Sequence, residues 1–416
     1  MNKNKALLVI IIAVIIVLLG LAIFYFFFQR ESAPYQPPET PGDVLFPIGP
    51  NATTSPGGDT IGSTSNPSYD YYNQPQTFQK EKQRLRLISS LPVSGATLFE
   101  RNAETFIRFV ERADGHIYEA PASKDESPYR ISNTTIPKIY EAYWVNDGQG
   151  VIIRYLKNNE VQTFYARIRA SAATSSEQEL VDGTFLQNGI SAVVISPETD
   201  RIFYIADSPE GSVGVRANPN GTQKTQLFSS PATEWLPVWG SPNTIIVATK
   251  PSGTVLGYAY TLGGSGAMNR LLGDIRGLTV LPNGNSSLLL YSDVSGSRLT
   301  LKLLDTAKND VTEAGVNTLP EKCVWSKKDS AVAYCAVPDF ISSATYPDAW
   351  YQGAISFSDN LWRVNLKTGE ATVILSPQSI AQKTMDITNL VLDESEDFVL
   401  FTNKKDLSLW LLDLSE

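Results

Sequence analysis

The stretch Val193–Ala206 reads VVISPETDRIFYIA: an apolar run, a turn of Ser, Pro, Glu, Thr and Asp, and a second apolar run. Two short runs rich in β-branched and aromatic residues around such a turn predict a β-hairpin. The arrangement recurs as YWVNDGQGVIIRYL from Tyr143, LPVWGSPNTIIVAT from Leu236, TVLPNGNSSLLLYS from Thr279, CVWSKKDSAVAYC from Cys323 and LVLDESEDFVLFT from Leu390. The last apolar residues before the turns are Val145, Ile195, Val238, Leu281, Trp325 and Leu392, at intervals of 50, 43, 43, 44 and 67 residues. A period of about 40–45 residues with four short strands per unit is the pattern of a β-propeller blade.

Outward from each hairpin a third strand follows, as in SVGVRAN from Ser212, TVLGYAY from Thr254, RLTLKLLD from Arg298 and NLWRVNLKTGE from Asn360. A weaker outer strand comes next, such as ATVILS from Ala371, and a less regular unit spans Gly95–Ser132. The reading is an all-β fold, a seven-bladed propeller of four-stranded blades over residues 84–416. The last unit supplies only three strands and ends on the apolar run Leu407–Leu414, while RLRLISSL, Arg84–Leu91, stands ahead of the first unit and belongs to none of its strands. Pairing that N-terminal strand with the C-terminal edge closes the ring and removes an aggregation-prone edge.

These residues resemble the TolB-like and WD-repeat-like propellers. SPETDRIFYIA from Ser196 is similar to a Ser-Pro-Asp-Gly turn of the TolB type, and LWRVNLKTGE and LWLLDL to its third strands. The resemblance covers about Arg84–Glu416. It implies a ring that binds other proteins; the N-terminal α/β domain of TolB has no counterpart here, so its particular role is not carried over.

Ahead of the repeats, Ala6–Phe28 is an uncharged apolar stretch of 23 residues ending in Tyr25, Phe26, Phe27 and Phe28. As a helix it measures about 35 Å, enough to span a hydrocarbon core of about 30 Å. It is longer than the apolar region of a cleaved signal peptide and lacks small residues at its end, so an uncleaved signal-anchor is expected over residues 1–30. Lys3 and Lys5 before the span, against Arg30 beside Glu31 after it, keep the N-terminus cytoplasmic and put the propeller on the extracytoplasmic side. Residues 31–83, dominated by Pro, Ser, Thr, Gly and Asn, read as a disordered linker.

Chemistry is sparse. The net charge is −9 with no large basic cluster, which argues against a nucleic-acid partner. The single histidine, His116, cannot form a zinc site with two remote thiols and reads as a turn or strand residue. No Gly-x-Ser-x-Gly and no Asp-box turn occurs, and no cofactor is implied. The pairs Glu394/Glu396 and Asp339/Asp348 are the carboxylates considered for acid–base work on glycans. LGGSGAMN from Leu262 reads as an outer-strand turn rather than a phosphate loop, and the four sequons at Asn51, Asn133, Asn220 and Asn285 matter only in a glycosylating host. On this reading the protein is not an enzyme. It is a membrane-tethered module that binds a protein or glycan partner of the cell envelope; the alternative is a glycan-active hydrolase or lyase with carboxylates at the channel mouth.

Two features carry specific expectations. Cys323 and Cys335 lie six residues either side of Asp329, so a hairpin in that register sets them opposite each other, within reach of a disulfide in an oxidising compartment. The longest interval contains the insertion PDFISSATYPDAWYQGAISFS, Pro338–Ser358, followed by the longer link PQSIAQKTMD from Pro377. Tyr346, Asp348, Trp350 and Tyr351 in that insertion are the partner-binding candidates, because aromatic rings give contact area at low entropic cost. The open alternative is that the insertion folds back as a plug over the ring.

Overall fold

The computed structural model describes residues 84–168, 180–263 and 266–415. The apolar segment Ala6–Phe28 and the linker lie outside them; among the described residues no helix is long and apolar enough to cross a membrane. Strands form seven four-stranded antiparallel sheets, six of them in simple chain order. The seventh is built from Ile387–Leu392, Phe398–Asn403 and Ser408–Asp413, with Leu85–Ser89 as its outer strand. The seven-bladed propeller and its head-to-tail closure, read from the sequence, are therefore the fold observed.

The hairpins form for a local reason repeated around the ring. Ser196 Oγ, Asn283 Oδ1 and Asp393 Oδ1 each accept the backbone N–H five residues on, at Arg201, Leu288 and Phe398, at 3.0, 3.1 and 2.8 Å. A short polar side chain after the inner strand thus replaces a missing ladder bond and fixes the turn. Glu396 in the last of these turns takes φ +51°, the left-handed conformation.

The strands are apolar runs rather than alternating ones because each blade is covered on both faces. Seven buried clusters lie one between each pair of neighbouring blades: Val145, Ile152, Ile202 and Tyr204 share one between blades two and three, and Val332, Leu361, Ile387 and Phe401 another between blades six and seven. At the closure Leu85 pairs with Leu412 and Leu87 with Trp410, and Leu85 enters the blade six–seven core. The Arg86 guanidinium donates to the carbonyls of Ala122 and Lys124 in blade one, and the Arg84 guanidinium to Asp413 O at 3.1 Å.

Cys323 and Cys335 are paired residues of the inner hairpin of blade six, Cα–Cα 4.1 Å, and form a disulfide. Both sulfurs sit in the core between blades five and six. Neither cysteine should react with iodoacetamide in denaturant until a reductant is added. Reduction should lower stability by about 3 kcal/mol, the loop-closure scale for so short a ring. Labelling of both thiols in unreduced, denatured protein would show the bond absent.

Candidate functional site

In every blade the loop from second to third strand and the link to the next blade lie on one face, and the tight hairpin turns on the other. The insertion, residues 339–358, belongs to the first face, between the second strand Val332–Pro338 and the third strand Asp359–Asn365 of blade six. It folds back as a cap. Tyr346 is 0% and Trp350 4% exposed, in a cluster with Phe357, Val294, Leu299 and Leu319. Tyr346 and Phe357 stack at 5.9 Å between ring centroids, Trp350 and Phe357 at 6.3 Å. Asp348 opens the single helical turn Asp348–Tyr351 and reaches across to blade four, accepting from Gly253 N–H at 2.7 Å and Ser252 hydroxyl at 3.1 Å. Gly253 is required there, because a Cβ would lie 2.5 Å from Tyr346 O.

Beneath the cap lies a fully buried ion cluster. Lys322, in the 3-10 turn Pro320–Lys322 that leads into blade six, directs Nζ to Asp386 Oδ1 at 2.5 Å, Asp359 Oδ2 at 2.8 Å and Ile387 O at 3.0 Å. Its three donors are thereby satisfied, with the Trp350 and Phe357 ring centroids 5.3 and 5.1 Å away. Asp386 also accepts from Trp350 Nε1 at 3.0 Å, Phe357 N–H at 3.1 Å and Ser356 hydroxyl at 3.2 Å. It is the residue that fastens the cap to the ring. Lys404 adds a bond from Nζ to Trp350 O at 2.8 Å.

The two carboxylates share one cation but not one environment. Burial pushes the Asp359 carboxyl up to about 6 despite Lys322, and its Oδ1 has no hydrogen-bond partner among the described residues. Burial acts on Asp386 too, but Lys322 and the bonds from Phe357 and Trp350 outweigh it and hold this carboxyl below the usual range. Beside the cluster, burial raises Glu321, which accepts the Tyr351 hydroxyl and the Thr279 hydroxyl, the latter at 2.9 Å.

The insertion thus folds back onto blades four, five and seven instead of standing free. Tyr346 and Trp350 are core residues of the cap and are not free to anchor a partner; Asp348 is committed to blade four; Tyr351 remains 41% exposed. The paired carboxylates do not converge as acid and base. Glu396 accepts the Ser326 hydroxyl at 2.6 Å and the Lys327 N–H at 2.7 Å, Glu394 pairs with Lys327 at 2.6 Å, and Asp339 accepts from Asn360. A separate, half-open cavity of about 390 Å³ lies between blades two and three, lined in part by Glu160, Asn188, Ser191 and Asp207. The cluster of Lys322, Asp359 and Asp386 went unread because the two carboxylates lie 37 and 64 residues from the lysine, Asp359 opening a strand and Asp386 just ahead of one. The one signal was a lysine set directly against the apolar start of an inner strand, CVW.

No family model matches the chain, and no curated protein matches its sequence. Its fold is similar to that of an oligogalacturonate lyase from Vibrio parahaemolyticus, 10% identical with TM-score 0.53, over 81% of this chain and 95% of that one. It is similar to the tricorn protease, 10% identical with TM-score 0.50, over 80% of this chain but only 34% of that one. TolB from Acinetobacter baumannii aligns at 11% identity and TM-score 0.40, over 76% and 64% of the two chains. The expectation that the protein is not an enzyme is corrected by the first two: this propeller occurs in a lyase and in a protease, so a missing sequence motif does not exclude activity.

Proposed function

We propose that the protein is a membrane-tethered, extracytoplasmic propeller whose capped face binds a protein partner of the cell envelope. The observation that carries this reading is the placement of exposed apolar side chains. Phe340 in the cap is 77% exposed and Tyr351 of the same cap 41%, and Val255, Leu256 and Ile380 stand exposed nearby on the same face. Among the described residues no hairpin turn of the opposite face exposes a large apolar side chain. Apolar and aromatic residues gathered on one rim of a scaffold are what a protein interface uses. The buried cap core and its ion cluster make that rim rigid, which lowers the entropic cost of docking. The tether is the apolar segment Ala6–Phe28, and the chain joins the ring at Arg84, on the hairpin-turn face. A glycan ligand is the second reading, favoured by the cavity between blades two and three, whose lining mixes Val161 and Ile190 with the polar groups of Glu160, Asn188, Ser191 and Asp207.

The test uses the full-length chain in its own cells. Protease added outside intact cells should degrade the propeller, and cross-links to a partner should map to 339–356 and 377–383. Phe340→Ser should weaken capture at least tenfold without lowering the melting temperature, since that side chain is 77% exposed. Protection of the propeller until lysis would overturn the placement. Cross-links confined to the opposite face would overturn the surface.

A further inference from the structure

His116 is the only imidazole in the chain, and its two ring nitrogens have unlike partners. Nδ1 lies 2.7 Å from Asp114 Oδ2, and Nε2 lies 3.3 Å from the Thr135 hydroxyl. A carboxylate accepting at Nδ1 selects the tautomer with its proton on Nδ1, in which Nε2 is an acceptor facing the hydroxyl. We propose that Asp114, His116 and Thr135 form a nucleophile–base–orienter triad that cleaves small carboxylic esters. This assignment rests on no part of the binding reading.

The three residues come from two loops on the capped side of blade one, and the backbone holds those loops together. Asp114 and His116 flank Gly115 in the loop before the strand Ile117–Pro121, while Thr135 lies in the link to blade two. Asp114 Oδ1 accepts the His116 N–H at 2.9 Å, fixing the carboxylate against the ring from its other oxygen. Ile136 N–H donates to Asp114 O at 2.7 Å, and Ile117 N–H to Ser132 Oγ at 2.9 Å, so the link is fastened on both sides of Thr135. Gly115, at φ +77°, permits the approach: a Cβ would stand 2.8 Å from Ile136 O and 2.7 Å from Ile139 Cδ1. The base is sheltered, with its side chain 14% exposed, whereas Thr135 is open to solvent. Among the described residues the backbone N–H of Thr135, on the same residue as the hydroxyl, meets no acceptor and stays available as a donor.

The balanced sequence is ordinary acyl transfer. Thr135 Oγ attacks the ester carbonyl carbon while His116 Nε2 takes the hydroxyl proton. The imidazolium, held by Asp114, returns that proton to the leaving alkoxide as the acyl–oxygen bond breaks. Water then attacks the acyl-threonine, His116 takes its proton, and Thr135 Oγ leaves with it, so ester plus water gives acid plus alcohol. The open position of Thr135 suits a short acyl group, and the net charge of −9 disfavours phosphate esters by repulsion.

The test treats full-length protein in detergent with p-nitrophenyl acetate, follows p-nitrophenolate release and maps acetyl groups by peptide mass spectrometry. Wild-type protein should acquire acetyl on Thr135 with a burst of phenolate. Thr135→Ala should lose the burst, Thr135→Ser should keep it, and His116→Ala should slow acylation by about 10²–10⁴-fold. Melting of each variant checks that the loops remain folded. Absence of acetyl at Thr135 in the wild type, or equal labelling in His116→Ala, would overturn the triad and leave these contacts as loop staples.

Discussion

Replacing Lys322 by alanine should lower the unfolding free energy by about 3–5 kcal/mol, the scale for removing one partner of a buried ion pair. The side chains of Lys322, Asp359 and Asp386 are each 0% exposed, so no solvent replaces the lost ammonium. Asp386 keeps its bonds from Trp350, Ser356 and Phe357, whereas Asp359 keeps only the Ile387 N–H. The damage should therefore concentrate on residues 345–358, visible as faster amide exchange there. A Lys322→Ala protein as stable as wild type would mean that the cap does not depend on the cluster. The pH response carries the same signature. The folded pKa of Asp359, about 6, stands above its ordinary value, so its contribution to stability is present at low pH and is lost as pH rises through about 6. Asp386 is held below its ordinary value and contributes in the opposite sense, losing its share as pH falls through its folded pKa. Asp359→Asn should remove the decline between about pH 4 and 6, at most about 3 kcal/mol by the shift, when compared with wild type over that range. An unchanged slope in the asparagine variant would assign the decline to other carboxylates.

Deleting residues 84–89 should make the propeller domain aggregate. The deletion strips Leu85 from the blade six–seven core, removes the Arg86 bonds to blade one and leaves the strand Ser408–Asp413 with an unpaired edge. That edge presents Leu409, Trp410, Leu411 and Leu412 in extended conformation, a template for pairing with another chain. The lost burial and pairing amount to several kcal/mol, comparable with the net stability of an ordinary domain. Deleting residues 32–79 instead should leave the melting temperature unchanged. Sedimentation and thermal unfolding of the two deletions compare the outcomes directly; equal behaviour would show that the closing strand contributes nothing to the ring.

What could be read from the residues divides along sequence distance. The inner hairpins were legible because turn and strands are adjacent: Ser196, Asn283 and Asp393 announce turns whose bonds span five residues. The Cys323–Cys335 pairing was legible for the same reason, since hairpin register alone sets the partner. Closure was legible by counting, because one strand was missing at the end and one was spare at the start. The cap was not. Tyr346 and Trp350 in a Pro-, Ser- and Gly-bearing loop look like surface residues, and their burial is decided by Asp386, Lys322 and Leu319 from other segments. His116 was read as a bland turn residue because Thr135, which gives its second nitrogen a partner, lies on a different loop.

The closure also sets the order of events during synthesis. Leu85 leaves the ribosome near the start of the propeller and its register partner Leu412 near the end, a separation of 327 residues. Six blades can assemble from strands already made, but the seventh waits for the last of its own residues. Until then the first strand must stay unpaired, and chain connectivity makes that pairing the slowest contact in the ring. Truncation anywhere before the final strand leaves the whole circle open, so nascent propellers are vulnerable to degradation until the last few residues arrive.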